Sequence, residues 1–197
     1  MKSFMSSLLK VASIVVISAI AIAFNPVKTS ASATTAVYPA AKDVPASAMH
    51  AYVNSVIASC TKPNMTQEQK LKACYNYVLK HMKYKRSYDP GLAANVEDYA
   101  LEAFFTGQGN CYRYASMFAY MAAELGYPVQ IQAGQCTSTT GDWTPHSWVV
   151  ITHPNGTNLI YDCSFGDSNK GKKNFYGITA AQHPRALWAQ EIWVPTY

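Results

Sequence analysis

The hydrophobic periodicity changes near the middle of the chain, and this change constrains the fold more than any other feature. Up to Leu125, apolar residues recur every three to four positions, as they do on amphipathic helices. Gly126 and Pro128 interrupt this spacing. From Val129 onward apolar and polar residues alternate, as they do on half-buried strands. Helices first and strands afterwards predict an α+β domain.

Four helices are predicted in the first half. Thr66 and Asn95 have side chains suited to cap the second and third of them. The fourth begins at Cys111 and is apolar nearly all round, which predicts a central, buried helix. The predicted ranges are 46–60, 66–82, 95–105 and 111–126.

The second half is predicted to contain strands at 129–133, 146–153 and 158–163. The segment 185–195 is rich in Trp, Ile and Val, and it predicts either another strand or a packed tail.

The loop between the second and third strands determines which side chains share a face. A two-residue Asn-Gly turn would pair Trp148 with Cys163 and would put Asp162 and His146 on opposite faces. A three-residue loop, Pro154 to Gly156, pairs Trp148 with Asp162 and puts Asp162 on the face of His146. The three-residue loop is favoured, because proline suits its first position and glycine the left-handed position that completes it.

The N-terminus predicts export. Lys2 and Lys10 precede an apolar run at 11–23, and a small-residue cleavage pattern ends at Ala33. Residues 1–33 are therefore interpreted as a secretory signal peptide; the competing interpretation is an uncleaved anchor, for which the run is short. Residues 34–45 are predicted to be a flexible leader, and 46–197 a single domain.

Composition excludes one broad class of function. The chain has 197 residues, 49% of them apolar, and a formal charge of +5. Removal of Lys2, Lys10 and Lys28 with the signal peptide leaves 5 − 3 = +2. A charge this small gives no basic surface for nucleic acid. No membrane partner is expected once the signal peptide is cleaved.

Five cysteines are an odd number for an exported chain. Cys60 could pair with Cys74 across two helices, and Cys136 with Cys163 across two strands, which would leave Cys111 free. The alternative is that these four are ordinary buried thiols.

Cys111 is the candidate nucleophile, because it opens a helix, where the macrodipole and free amides favour a thiolate and could hold an oxyanion. A thiol nucleophile needs a base and an orienting group, for which His146 and Asp162 are the candidates. Gln108 could donate to the oxyanion, although a solvent-facing loop side chain is the alternative. Trp148 could shield the pair from water or simply pack in the core.

Three segments, 109–115, 145–149 and 159–162, resemble the three motifs of the transglutaminase-like superfamily. The similarity covers about residues 66–166. It implies a papain-like fold, with Cys111 as nucleophile, His146 as general base and acid, and Asp162 as the orienting carboxylate.

The resemblance implies acyl transfer through a thioester on a peptide or protein substrate. A protease or amidase is favoured over a protein cross-linking enzyme. The alternative is a catalytically silent transglutaminase-like module that binds peptide or a cell-surface glycan. No cofactor or metal is expected, because the sequence has neither an acidic calcium loop nor zinc-finger spacing.

Overall fold

The structure, a computed structural model, describes residues 40–87, 96–170 and 172–195. The predicted signal peptide, the first half of the predicted leader (residues 34–39) and the predicted cap Asn95 lie outside these residues. Within the described ranges, no helix is both long and apolar enough to span a membrane.

The four predicted helices are confirmed, and a fifth is added. α2 opens as expected with a capping box, in which the Thr66 hydroxyl accepts from the Gln69 amide and the Gln69 side chain accepts from the Thr66 amide. The fifth helix was not predicted. The helices are α1 (Ala46–Cys60), α2 (Gln67–His81), α3 (Val96–Thr106), α4 (Cys111–Glu124) and α5 (Cys163–Asn169).

The strands form one antiparallel sheet and one small parallel pair. The sheet contains β3 (Val129–Thr137), β4 (Trp143–Thr152), β5 (Asn158–Tyr161) and β6 (Leu187–Trp193), in the order β5-β4-β3-β6. The segment 185–195 therefore contributes a strand rather than a packed tail. β1 (Lys83–Tyr84) pairs with β2 (Gln108–Gly109), immediately before α4.

The predicted register of the β4–β5 hairpin is confirmed. Val149 lies opposite Tyr161, and Thr152 lies opposite Asn158. The His153 amide donates to the Thr157 carbonyl at 2.9 Å and closes a three-residue loop. Gly156 has the left-handed backbone that this loop requires, with φ 79°. Continuing this register by one residue sets Asp162 beside Trp148.

The third strand ends earlier than predicted. β5 stops at Tyr161, and Cys163 is the first residue of α5 rather than part of a strand. The reason lies in Asp162, whose carboxylate accepts from the Phe165 amide and so caps a new helix.

α4 packs against one face of the sheet and forms the centre of the main core. Eleven of its 14 residues are buried, which confirms the prediction of a central helix. The sheet face that joins this core carries Val129, Ile131, Ala133, Val149 and Ile151. A smaller cluster of Trp148, Val150, Ile160, Phe175 and Ile178 lies on the opposite face.

All five cysteines are free thiols. Cys60 and Cys74 lie close enough to perturb each other's pKa, so the predicted proximity of α1 and α2 is present without a covalent bond. The expectation that Cys136 and Cys163 end neighbouring strands is wrong. β4 lies between β3 and β5 in the sheet, and Cys163 belongs to α5.

Candidate active site

Cys111 is the first residue of α4 and is 5% exposed. Asn110 precedes it but does not cap the helix with its side chain. The Asn110 amide instead donates to the Ser87 carbonyl and accepts from Arg113. The positive end of α4 is therefore not occupied by its own cap residue, and it lies beside the Cys111 sulfur.

Gly109 lies two residues before Cys111, and the Arg113 side chain packs closely against it. A Cβ on Gly109 would lie 2.2 Å from Cδ of Arg113. Arg113 is 9% exposed, and its Nε donates to Glu102 at 2.6 Å. Because the guanidinium group is held to Glu102 of α3, any residue larger than glycine at position 109 would have to displace the Arg113 side chain.

His146 joins Cys111 to Asp162. Nε2 of His146 donates to Oδ2 of Asp162 at 2.6 Å, and the Cys111 side chain lies close enough to the His146 ring to raise its pKa. Because Nε2 faces the carboxylate, Nδ1 is the nitrogen left for the sulfur. The three candidate residues are thus neighbours in one site, and all three are buried.

The Asp162 carboxylate is fully buried and accepts from four donors. Oδ1 accepts from the Phe165 amide at 3.0 Å and the Ser164 hydroxyl at 3.1 Å. Oδ2 accepts from His146 at 2.6 Å and from His183 at 3.3 Å. Burial of a carboxylate is tolerated only with partners of this kind.

The electrostatics of the pair follow from these contacts. Burial acts to raise the pKa of Asp162, but the charge of His146, the two imidazole hydrogen bonds and the Phe165 amide outweigh it and hold that pKa well below its usual range. Burial acts to lower the pKa of His146, but Asp162 and Cys111 outweigh it and raise that pKa well above its ordinary value. The site therefore favours an imidazolium beside the sulfur.

Two aromatic rings enclose the His146 imidazole. The Trp148 ring stacks on it with 5.9 Å between centroids, and the Phe165 ring lies at 4.6 Å. The Trp148 indole N–H donates to Oε1 of Gln132 at 3.0 Å, so this buried tryptophan has no unpaired donor. Trp148 thus contacts His146 and also packs in the smaller core cluster.

Gln108 is exposed on β2, three positions before Cys111. Its backbone amide donates to the Thr106 hydroxyl. Among the described residues its side chain makes no hydrogen bond to Cys111, and its role as an oxyanion donor stays a prediction. Among the residues that the structure describes, no cluster of three His, Cys, Asp or Glu side chains is arranged to hold a metal ion.

His183 and α5 are the parts of the site that sequence reasoning missed. His183 donates to Asp162, a contact that no sequence pattern predicts. It follows a short 3-10 turn, Ala180–Gln182, in a segment without strand or helix periodicity. The capping box formed by Thr179 and Gln182 is a local sequence signal for this turn, but it does not predict the contact between His183 and Asp162.

Solved structures with similar folds include a candidate cysteine protease from Cytophaga hutchinsonii, at 13% identity over 74% of this chain and 47% of that chain, with a TM-score of 0.45. The periplasmic domain of TgpA from Pseudomonas aeruginosa matches at 19% identity over 64% and 48%, with a TM-score of 0.41. A candidate protease from Parabacteroides distasonis matches at 13% identity over 62% and 26%, with a TM-score of 0.38. This chain spans less than half the length of each.

No curated protein gives a significant match. The sequence model of the transglutaminase-like superfamily matches residues 50–163, which include most of α1, all of α2 to α4, strands β1 to β5, and the Cys111, His146 and Asp162 positions. With the α+β architecture described above, this match over more than half of the sequence shows that the chain belongs to the transglutaminase-like superfamily.

Proposed function

We propose that this protein is an exported cysteine hydrolase that cleaves peptide or amide bonds through a thioester on Cys111. The observation that carries the proposal is the buried His146–Asp162 pair, with 2.6 Å between Nε2 and Oδ2 and with the Cys111 side chain beside the His146 ring. Membership in the superfamily and the N-terminal signal-peptide pattern support it.

The first half of the reaction forms the thioester. With the proton held on Nδ1 of His146, the Cys111 thiolate attacks the carbonyl carbon of the amide, and the carbonyl electrons move to oxygen. Backbone amides at the start of α4 point toward this developing charge. When the tetrahedral intermediate collapses, the C–N bond breaks, and Nδ1 of His146 gives its proton to the leaving amine.

The second half releases the acyl group. Nδ1 of His146 takes a proton from water, the resulting hydroxide attacks the thioester carbonyl, and the C–S bond breaks to return the thiolate. An amine in place of water would give a cross-linked product by the same steps. Hydrolysis is the favoured outcome in our proposal, as the sequence analysis predicts.

Exposed aromatic side chains near the site favour a peptide substrate. Trp143 begins β4 three residues before His146, and its ring meets that of Trp188 at 6.3 Å between centroids. Tyr84 is 56% exposed and lies close enough to Cys111 for the two to interact electrostatically. Exposed aromatic rings of this kind are typical of surfaces that bind peptides.

Alkylation by iodoacetamide tests the activated thiol without a substrate. Trypsin releases residues 87–113 as one peptide in which Cys111 is the sole cysteine, so its labelling can be followed separately from the other four. At pH 6 we expect Cys111 to react about tenfold faster in the folded protein than in urea. His146→Ala should remove this advantage, and His153→Ala, at a histidine outside the site, should keep it. Equal rates in folded and unfolded protein would contradict the proposal.

Mass spectrometry of peptide substrates tests the reaction itself. Peptides that carry glutamine and lysine are incubated with the protein and with Cys111→Ser. Cleavage adds water across a bond, deamidation exchanges an amide for an acid, and cross-linking joins two peptides with loss of ammonia. We expect cleaved or deamidated products that depend on Cys111. Cross-linked products alone would contradict hydrolysis, and no product from any peptide would favour a binding module.

A further inference from the structure

His183 is the second imidazole on the Asp162 carboxylate, and its side chain is fully buried. Its Nε2 lies 3.3 Å from Oδ2 of Asp162, the same oxygen that accepts from His146. The ring is held between two others, because the Phe165 and Phe175 rings meet it edge-on at 5.7 and 5.5 Å between centroids.

The contact with Asp162 shows where the His183 ring carries a hydrogen. An ionised carboxylate can only accept, so Nε2 of His183 donates. Nδ1 lies 3.0 Å from the Arg185 carbonyl oxygen and 3.3 Å from the Arg185 amide nitrogen, so both ring nitrogens have polar partners.

The hydrogen bond from His183 restrains the second oxygen of the Asp162 carboxylate. Ser164 and Phe165 hold Oδ1 from α5, while His183 holds Oδ2 from the segment before β6. Without His183, the bond to His146 alone would hold Oδ2 in place. The carboxylate could then rotate about its own axis and weaken the bond that orients the His146 ring.

We propose that His183 is a positioning residue of the Cys111 site, which holds Asp162 in the orientation that keeps His146 aligned with the sulfur. This inference rests on the proposed function. His183 does not touch the sulfur or a substrate; it acts through Asp162.

Two variants separate hydrogen-bond donation from packing. His183→Phe keeps a ring of similar shape and removes the donor, whereas His183→Gln places an amide N–H near the position of Nε2. At pH 6 we expect His183→Phe to slow Cys111 alkylation about tenfold, since a hydrogen bond to a charged group is worth at least that factor. His183→Gln should stay within about threefold of the wild-type rate for the same reason.

The pH profile adds a measurement that packing alone would not move. The titratable groups around Asp162, besides His183, are His146 and Cys163, with the Tyr75 hydroxyl on its backbone carbonyl; Cys111 lies beside His146. We expect the alkylation rates of wild type and His183→Phe to converge near pH 9.5, where a thiol ionises without help from a neighbour. A uniform loss at all pH values would indicate a packing role and would overturn the inference.

Nitrogen NMR on the wild-type protein tests the inference if His183→Phe does not fold. Hydrogen on Nε2 of His183 should be observed at pH 6; a ring with hydrogen on Nδ1 alone would overturn the inference. His153→Gln serves as the matched control for the variants. The two proposals fail in distinguishable ways. A wild-type Cys111 that is not activated at pH 6 contradicts the enzyme, whereas an activated Cys111 that is unchanged in His183→Phe contradicts the positioning role alone.

Discussion

At the scale of single residues, Asp162 links the fold of the protein to its chemistry. One carboxylate oxygen caps α5 through Ser164 and Phe165, and the other accepts from His146 and His183. A buried anion is stable only when such partners replace water. The group that would orient the base is therefore also the group that ends β5 and starts the next helix.

Asp162→Asn removes the charge while keeping the shape. The amide cannot balance the His146 imidazolium, and its NH2 group must face donors that the carboxylate accepted from. We expect Cys111 alkylation at pH 6 to slow about tenfold, the difference between a hydrogen bond to a charged group and one to a neutral group. Asp43→Asn, in the short 3-10 turn before α1, is the matched control. An unchanged rate in Asp162→Asn would show that the carboxylate charge does not support the Cys111–His146 pair.

Residue types and spacing predict Cys111, His146 and Asp162 as the candidate site, and their catalytic roles stay a prediction. The Pro154–Gly156 loop was sufficient to predict the β4–β5 register, which places Asp162 beside Trp148. His183 could not be predicted in this way. Its bond to Asp162 depends on how a segment without periodicity folds back over the sheet, and neither helical nor strand spacing encodes that path.

At the scale of elements, the sequence patterns that correctly predicted helices were long and periodic. α1, α2 and α4 each carry a stripe of apolar residues over about four helical turns, and α2 also begins with a capping box. α5 has seven residues, too few for a stripe to stand out from chance. Its cap, Asp162, lies within the predicted strand 158–163. The sequence pattern therefore does not predict the helix that Asp162 starts.

The entrance to α4 gives a prediction at this scale. Gly109→Ala would place a Cβ 2.2 Å from Cδ of Arg113, so the arginine must move away from Glu102. Crowding a packed site in this way costs about 1–3 kcal/mol of unfolding free energy. We expect urea unfolding to show a loss in that range, together with slower Cys111 alkylation because the start of α4 shifts.

Gly156→Ala provides the comparison for this variant. A Cβ at Gly156 meets no atom within 4 Å, and its cost comes from the left-handed backbone alone. That cost is about 1 kcal/mol, and alkylation should be unchanged. If Gly109→Ala were no more destabilising than Gly156→Ala, and alkylation stayed at the wild-type rate, the close approach of Arg113 would not constrain the site.

At the scale of the whole molecule, the site joins segments that are far apart in the sequence. α4 supplies Cys111, β4 supplies His146, the β5–α5 junction supplies Asp162, and the segment before β6 supplies His183. Unfolding separates all four and returns each titratable group to water. The stability of the molecule must therefore depend on pH through any pKa that differs between the folded and unfolded states.

The shifted pKa values of Asp162 and His146 make the stability of the protein fall at opposite ends of one pH range. The pKa of Asp162 is lowered by folding, so its contribution to stability is present above about pH 4 and is lost as the pH falls toward the folded value. The pKa of His146 is raised by folding, so its contribution is full below about pH 6.5 and is lost as the pH rises through the folded value. Both contributions are present together between about pH 4 and 6.5.

A double variant, His146→Gln with Asp162→Asn, isolates this contribution because it replaces both charges with neutral amides of similar size. The difference in Tm between wild type and double variant should be largest between about pH 4 and 6.5 and should shrink on both sides of that range. The control pair, His153→Gln with Asp43→Asn, removes one histidine and one carboxylate outside the site and should show no such maximum. A difference that keeps growing above pH 8 would mean that folding favours the neutral imidazole, which is incompatible with an imidazolium held between Asp162 and the Cys111 sulfur.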